Sequence, residues 1–155
     1  MAFLSSMNII GSGMTAQQLR MDVISENITN MNTTRTESGG AYRRKITVME
    51  AESNKDAFRM AMAKAGRRGR AVSNRKVEVA GGVRVAEIAE DQTPMPFVYD
   101  PSHPDADEEG YVELPNVTLV KEVTDAMAAS QAYNADVTAF NTLKQVISKA
   151  MEIGR

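Results

Sequence analysis

From Val117 to Ile153 the chain contains neither Gly nor Pro, and that one stretch limits the fold more than any other feature. Val123, Met127, Ser130, Tyr133, Val137, Phe140, Leu143, Ile147 and Ala150 recur along it at steps of three and four. The spacing predicts one continuous helix, with Pro115–Asn116 as stop and N-cap and Glu122 where the helix dipole favours an acid. At ~1.5 Å per residue it makes a rod of roughly 55 Å. The rest of a 155-residue chain cannot wrap a rod of that length. Such a helix needs partners.

The N-terminal end mirrors it. Phe3, Met7, Ile10, Met14, Gln17, Met21, Ile24, Ile28 and Met31 follow alternating steps of four and three, a heptad seam with Gln17 as its one polar member. Gly11 and Gly13 weaken the first turns, so the firm helix is expected from about Met14 to Met31. A single seam of this kind buries too little apolar surface to offset the ordering of its backbone. The helices are therefore expected to be partly disordered in a lone monomer and to gain fixed geometry on assembly. Flexible Met side chains on the seam suit packing against non-identical neighbours.

Between the helices the period changes. Tyr42, Arg44, Ile46 and Val48 alternate with Arg43, Lys45, Thr47 and Met49, which predicts a strand. Val77–Val79 and Val83–Val85 flank Ala80–Gly81–Gly82 as a short hairpin, and Phe97–Tyr99 adds an extended piece. Residues 53–65 read as a helix or as disordered chain, with disorder preferred. Asp100–Asn116, with Pro101, Pro104 and Pro115, reads as loop or extended chain.

Composition removes much enzymology. There is no Cys, so disulfides, thiolate metal sites and cysteine nucleophiles are excluded, although the compartment is not fixed by that. The single His103, between prolines, has no spaced partner for metal binding or base catalysis and reads as structural. Asp105–Gly110 resembles the opening of a calcium loop, but Asn116 stands where the bidentate Glu belongs; an acidic surface turn is the better reading. Carboxylates crowd together only in this Pro-rich loop, where no apolar surroundings raise a pKa. The net charge of −2 creates no global pull towards nucleic acid or an anionic membrane.

Locally the charge is segregated. Arg59, Lys64, Arg67, Arg68, Arg70, Arg75 and Lys76 form a run without an acid, and neither Lys nor Arg stands between Arg84 and Lys121. The basic run reads as a solvated linker, a subunit contact or, without interleaved aromatics for stacking, a weaker nucleic-acid candidate. The interrupted apolar runs Met1–Leu4 and Met7–Ile10 make neither a secretory signal nor a membrane span.

These residues resemble a known family. Gly13–Thr34, with its Ala16–Gln17 pair, Arg20, Asn27, Asn30 and Thr33–Thr34, looks like the N-terminal signature of bacterial flagellar rod and hook proteins. Pro115–Glu122 and Ala129–Ala135 resemble the family's C-terminal signature. Gly39–Lys45, Val98–Ala106 and Glu109–Val112 are similar to the small proximal-rod subunits of that family. Thr118 and Lys121 depart from it, where relatives often carry an acid.

The resemblance implies a mainly α fold whose long terminal helices pair as an antiparallel coiled coil. Residues 1–34 and 117–155 would form the inner-rod helical domain, and 35–116 a β-containing, partly irregular insertion with a disordered part expected at 51–76. It implies a structural subunit of the basal-body rod, the torque-transmitting drive shaft around the export channel, and not an enzyme; no cofactor or metal is expected. Expected partners are copies of itself, other rod subunits, and the export gate and its adaptor at the rod base; nucleic acid is not among them. The protein would cross the cell envelope in the basal body after export without a cleavable signal, and would not be an integral membrane protein.

The residues expected to carry helix packing are Met14, Met21, Ile24 and Ile28 against Tyr133, Val137, Phe140, Leu143 and Ile147. Gln17, Asn27, Asn30 and Asn134 are candidates for register or inter-subunit hydrogen bonds. Rival readings are a cytosolic coiled-coil adaptor touching nucleic acid through Arg59–Lys76, and an enzyme with a carboxylate site in Asp100–Glu113.

Overall fold

A computed structural model describes residues 2–37, 39–52 and 81–153. Two helices dominate: α1 (Ala2–Thr29), of 28 residues, and α2 (Leu119–Ile153), of 35 residues. They lie antiparallel, since Asn27 meets Glu122, Arg20 meets Asp125 and Gly13 meets Asp136. Between them stand two short antiparallel ribbons, β1 (Lys45–Glu52) with β2 (Gly82–Glu90), and β3 (Phe97–Tyr99) with β4 (Tyr111–Glu113). The fold is mainly helical.

α1 is helical well before Met14. Gly11 and Gly13 do not delay it, because tertiary contacts outweigh their propensity. A Cβ on Gly13 would stand 2.9 Å from the Asp136 carboxylate, so the missing side chain lets α2 come close. Next to it, the Ser12 hydroxyl donates to the Ile9 carbonyl at 2.7 Å and accepts the Val83 N–H at 3.0 Å, joining α1 to β2.

The β1–β2 ribbon lies along α1, with Lys45 beside Asn27 and Gly82 beside Ser12. Its register pairs Lys45 with Glu90 and Glu52 with Gly82, and shifts between Val48 and Met49 where β2 carries one extra residue. The strand expected from Tyr42 thus begins three residues later, and Ala51–Glu52, expected to open a disordered part, close β1. Val83–Val85 pairs with β1; the opposing arm Val77–Val79 lies outside the described residues, as does the segment 53–65. Tyr111–Glu113, expected as loop or extended chain, is a strand pairing with Phe97–Tyr99. Gly110, at φ +83°, makes the turn into β4 that an L side chain resists.

Among the described residues the buried apolar set is small: Ala16, Val23, Ile24, Ala41, Tyr42, Val112 and Ala129. Asn27, Arg44 and Glu122 are buried with them. The interior is a polar junction where α1, α2 and β1 meet.

Candidate assembly surface and the junction behind it

Asn27 stands in the last turn of α1 and is 1% exposed. Its Oδ1 accepts the Lys45 N–H at 2.9 Å and the Tyr42 hydroxyl at 3.0 Å. Its Nδ2 donates to the Lys45 carbonyl at 2.8 Å and to Glu122 Oε2 at 3.0 Å. The amide therefore pairs with the Lys45 backbone as a neighbouring strand would, which fixes where β1 starts against α1.

Glu122, fully buried, receives Arg44 Nε on its other oxygen at 2.6 Å. The guanidinium also reaches Asp125 at 3.1 Å and Asp91 at 3.4 Å, so one cation ties β1 to α2 and to the end of β2. Burial opposes the Arg44 charge, yet the hydrogen bond and charge of Glu122, with Asp91 and Asp125, hold its pKa above the ordinary guanidinium value. Burial, then the charges of Glu26, Glu122 and Glu90, push the Tyr42 phenol up to about 12. The Thr93 hydroxyl and N–H, more than Arg44, hold Asp91 below the usual carboxylate range.

Asn116 plays a part that its position did not suggest. It does not cap α2; Thr118 does, its carbonyl accepting the Glu122 N–H at 3.0 Å. Asn116 Oδ1 takes the Arg44 N–H at 2.8 Å, and its Nδ2 donates to the Asp91 and Thr93 carbonyls, both at 3.1 Å. Two asparagine side chains thus bracket residues 44 and 45.

Outside this junction the helices are only half covered. Ile24 is buried; Met14, Gln17, Met21 and Ile28 are half-buried on α1, and Tyr133, Val137, Phe140, Leu143 and Ile147 are half-buried on α2. Ahead of Tyr133 the inward row of α2 is Glu122, Ala126 and Ala129, one position earlier than the seam of Val123, Met127 and Ser130 expected from hydrophobicity. Those last three face outward instead. Val120 is 76% and Met127 68% exposed, and Val123, Met127, Ser130 and Asn134 line an open groove with Ile28.

The expected register residues divide. Asn27 bonds within its own chain, and so does Asn30, whose Nδ2 donates to the Glu26 carbonyl while Oδ1 accepts the Thr33 hydroxyl. Gln17 Oε1 is buried and, among the described residues, has no hydrogen-bond partner, and Asn134 is exposed at the groove. His103 is a turn residue: its Nδ1 accepts the Asp105 N–H at 3.1 Å. Asp107 takes the Glu109 and Tyr111 N–H groups, the turn geometry expected of this acidic loop. Among the described residues no cluster of three His, Cys, Asp or Glu could hold a metal ion, and no helix is long and apolar enough to cross a membrane.

The junction residues missed in the sequence left a signal. Arg44 alternates with Tyr42 and Ile46 on what reads as one face of a strand, and a charge among such neighbours demands a buried partner.

A paired-helix subunit with uncovered apolar stripes is a building block, and comparison with known proteins says of what. The family model for flagella basal body rod proteins matches residues 7–35, and that for the C-terminal region of flagellar basal body rod FlgEFG proteins matches residues 108–153. The flagellar basal-body rod protein FlgC of Borreliella burgdorferi is 41% identical over 158 residues, covering 99% of this chain and 98% of its own. That of Bacillus subtilis is 38% identical over 161 residues, and that of Escherichia coli 34% over 155, each covering the whole of both chains.

The chain belongs to the FlgC family of flagellar basal-body rod proteins. It is a structural subunit of the bacterial flagellum's basal body, assembling with other rod proteins, and not an enzyme. The cytosolic nucleic-acid adaptor finds no support among these relatives.

Proposed function

We propose that this subunit builds the proximal part of the rod, a drive shaft that crosses the cell envelope, transmits torque and surrounds the export channel through which its own copies arrive. Residues 1–34 and 117–155 act as the helical inner domain, and 35–116 as an insertion carried on it. Its neighbours are copies of itself, other rod subunits and, at the rod base, the export gate and its adaptor; nucleic acid is not a partner. Met14, Gln17, Met21, Ile24, Asn27, Ile28 and Asn30 on α1, with Tyr133, Asn134, Val137, Phe140, Leu143 and Ile147 on α2, set the packing and register of the helical layer.

One observation carries this reading: α2, though paired with α1 along its length, leaves Val120, Val123 and Met127 open on one side. Apolar stripes of this kind associate with other helices. Torque needs a stiff joint between inner and outer parts, and the Arg44–Glu122–Asn27 junction supplies one by tying the insertion to both helices. Deleting the chain from Val137 onward removes the second half of α2. The expected result is loss of swimming and of basal bodies with attached filaments, scored by soft-agar motility and electron microscopy. Normal swimming would falsify the helix-packing role.

A further inference from the structure

We propose that the outer face of the β3–β4 ribbon receives the basic segment Arg59–Lys76 of a second copy of this chain. Phe97 and Tyr99 on β3 are 65% and 64% exposed, and Tyr111 on β4 is 42% exposed. The register places Tyr99 opposite Tyr111 and Phe97 opposite Glu113, so all four share one face, while Val112 turns inward and is buried. Tyr99 and Tyr111 stand edge to face with centroids 5.3 Å apart. The whole chain has only four Phe and four Tyr; three of these eight crowd onto the exposed face of one short ribbon. An exposed aromatic face of this sort marks an interaction site.

Its surroundings are acidic. Glu108 and Glu109, in the turn leading to β4, are exposed and make no side-chain hydrogen bond or ion pair among the described residues, and Glu113 makes none either. Aromatic faces bordered by carboxylates suit a cationic occupant, since Arg guanidinium groups stack on rings and pair with acids. The same chain carries one block of that chemistry, Arg59–Lys76, including Arg67, Arg68 and Arg70 and no acid.

The segment comes from a neighbouring copy, whose basic block meets the acidic ribbon through charge complementarity. The basic block leaves the ribbon between Glu52 and Gly82, and Gly82 rests against Ser12 in the first half of α1. The acidic loop is held beyond the other end of α1, where Asp105 accepts the Thr34 hydroxyl at 2.8 Å and pairs with Arg35 at 3.6 Å. From Ser12 to the helix end is roughly 25 Å at ~1.5 Å per residue. One copy's basic segment on the next copy's acidic ribbon is a head-to-tail contact. A head-to-tail contact repeats without self-pairing and generates rings or open helical stacks, the symmetry a rod requires.

The test exploits the absence of native Cys. Two full-length single-cysteine variants, Tyr99→Cys and Arg68→Cys, are mixed and oxidised. The expected product is a mixed dimer exceeding either self-dimer several-fold, depleted when Glu108→Lys and Glu109→Lys are added to the Tyr99→Cys chain, and weakened at about 1 M salt, where screening acts within ~3 Å. Circular dichroism checks that the variants keep wild-type helix content, and Phe97→Cys with Arg70→Cys serves where they do not. Random pairing proportions overturn the proposal, and so does a mixed dimer indifferent to charge reversal. It also fails if a chain carrying both cysteines closes on itself as a monomer, which places the segment on its own ribbon, or if cells cross-link Tyr99→Cys only to a different protein.

Discussion

Arg44 is the residue whose loss should be felt furthest. It faces three carboxylates, of which Glu122 is fully buried and Asp91 and Asp125 only partly so. Arg44→Met keeps the stem's volume and removes the charge, leaving the buried Glu122 side chain without its cationic partner. Breaking a buried pair in this way costs about 3–5 kcal/mol; urea unfolding of the purified chain should show it. Glu122→Gln added to Arg44→Met should recover part of that loss, because a neutral amide needs no counter-charge, so the two changes are strongly non-additive. Tyr42 gives a separate signature in alkali. Its phenol titrates at about 12 in the folded chain against 10.0 ordinarily, so the neutral form is what the fold favours. Its contribution is complete below pH 10.0 and lost as the pH rises towards about 12. Tyr42→Phe should remove that alkaline decline, read by denaturation at stepped pH, while costing the 3.0 Å hydrogen bond to Asn27 at neutral pH. Asn27 was visible in the sequence as a polar residue fixing register. That its partners belong to its own chain was not, because the partners at positions 42, 45 and 122 come together only in the folded molecule.

The helices themselves were the most legible elements, and the reason is their period. No breaker interrupts Leu119–Ile153, so local preference and packing agree. Where two demands compete, reading by hydrophobicity slips. Val123 and Met127 outrank Glu122, Ala126 and Ala129 as core residues, yet Arg44 draws Glu122 inward and the small alanines let the helices approach, which turns the first part of α2 by one position. Likewise Gly11 and Gly13 read as weak turns when they lie where α2 and β2 crowd against α1. The β4 strand was hidden among prolines and acids, because its pairing partner, not its own composition, makes it a strand. Gly110 controls that ribbon. A Cβ there would lie 3.0 Å from the Tyr99 ring and 3.2 Å from Pro101, on a backbone at φ +83°. Gly110→Ala should therefore cost about 1–2 kcal/mol for the left-handed conformation. The damage should stay local: exchange of the Asp100 and Leu114 amides, which bond Gly110 and Pro96, speeds up roughly 5–30-fold. Amides within α1 and α2 should keep their protection.

At the scale of the whole molecule, the distribution of apolar surface separates folding from assembly. The chain folds on a few small apolar residues around charged Arg44 and Glu122, and leaves Val120, Val123 and Met127 outside. A substitution on that outer stripe can therefore act on the rod without acting on the subunit. Met127→Glu is the sharpest case. Met127 is 68% exposed, so a carboxylate there stays hydrated in the free chain and should shift its stability by no more than about 0.5 kcal/mol. In a packed joint the same carboxylate loses its water without gaining a partner, and each ~1.4 kcal/mol of that penalty weakens association tenfold. Thermal melting of the purified variant should overlay the wild type, while cells carrying it should lose swimming and intact basal bodies. Glutamate is more informative than alanine at this position, because truncating one thioether removes contacts that neighbouring methionines can replace, whereas a buried charge cannot be absorbed by repacking. Normal rods built from the Met127→Glu chain would mean that the stripe stays wet in the assembly, and the joint would then have to be sought along the half-covered second half of α2, from Val137 to Ile147.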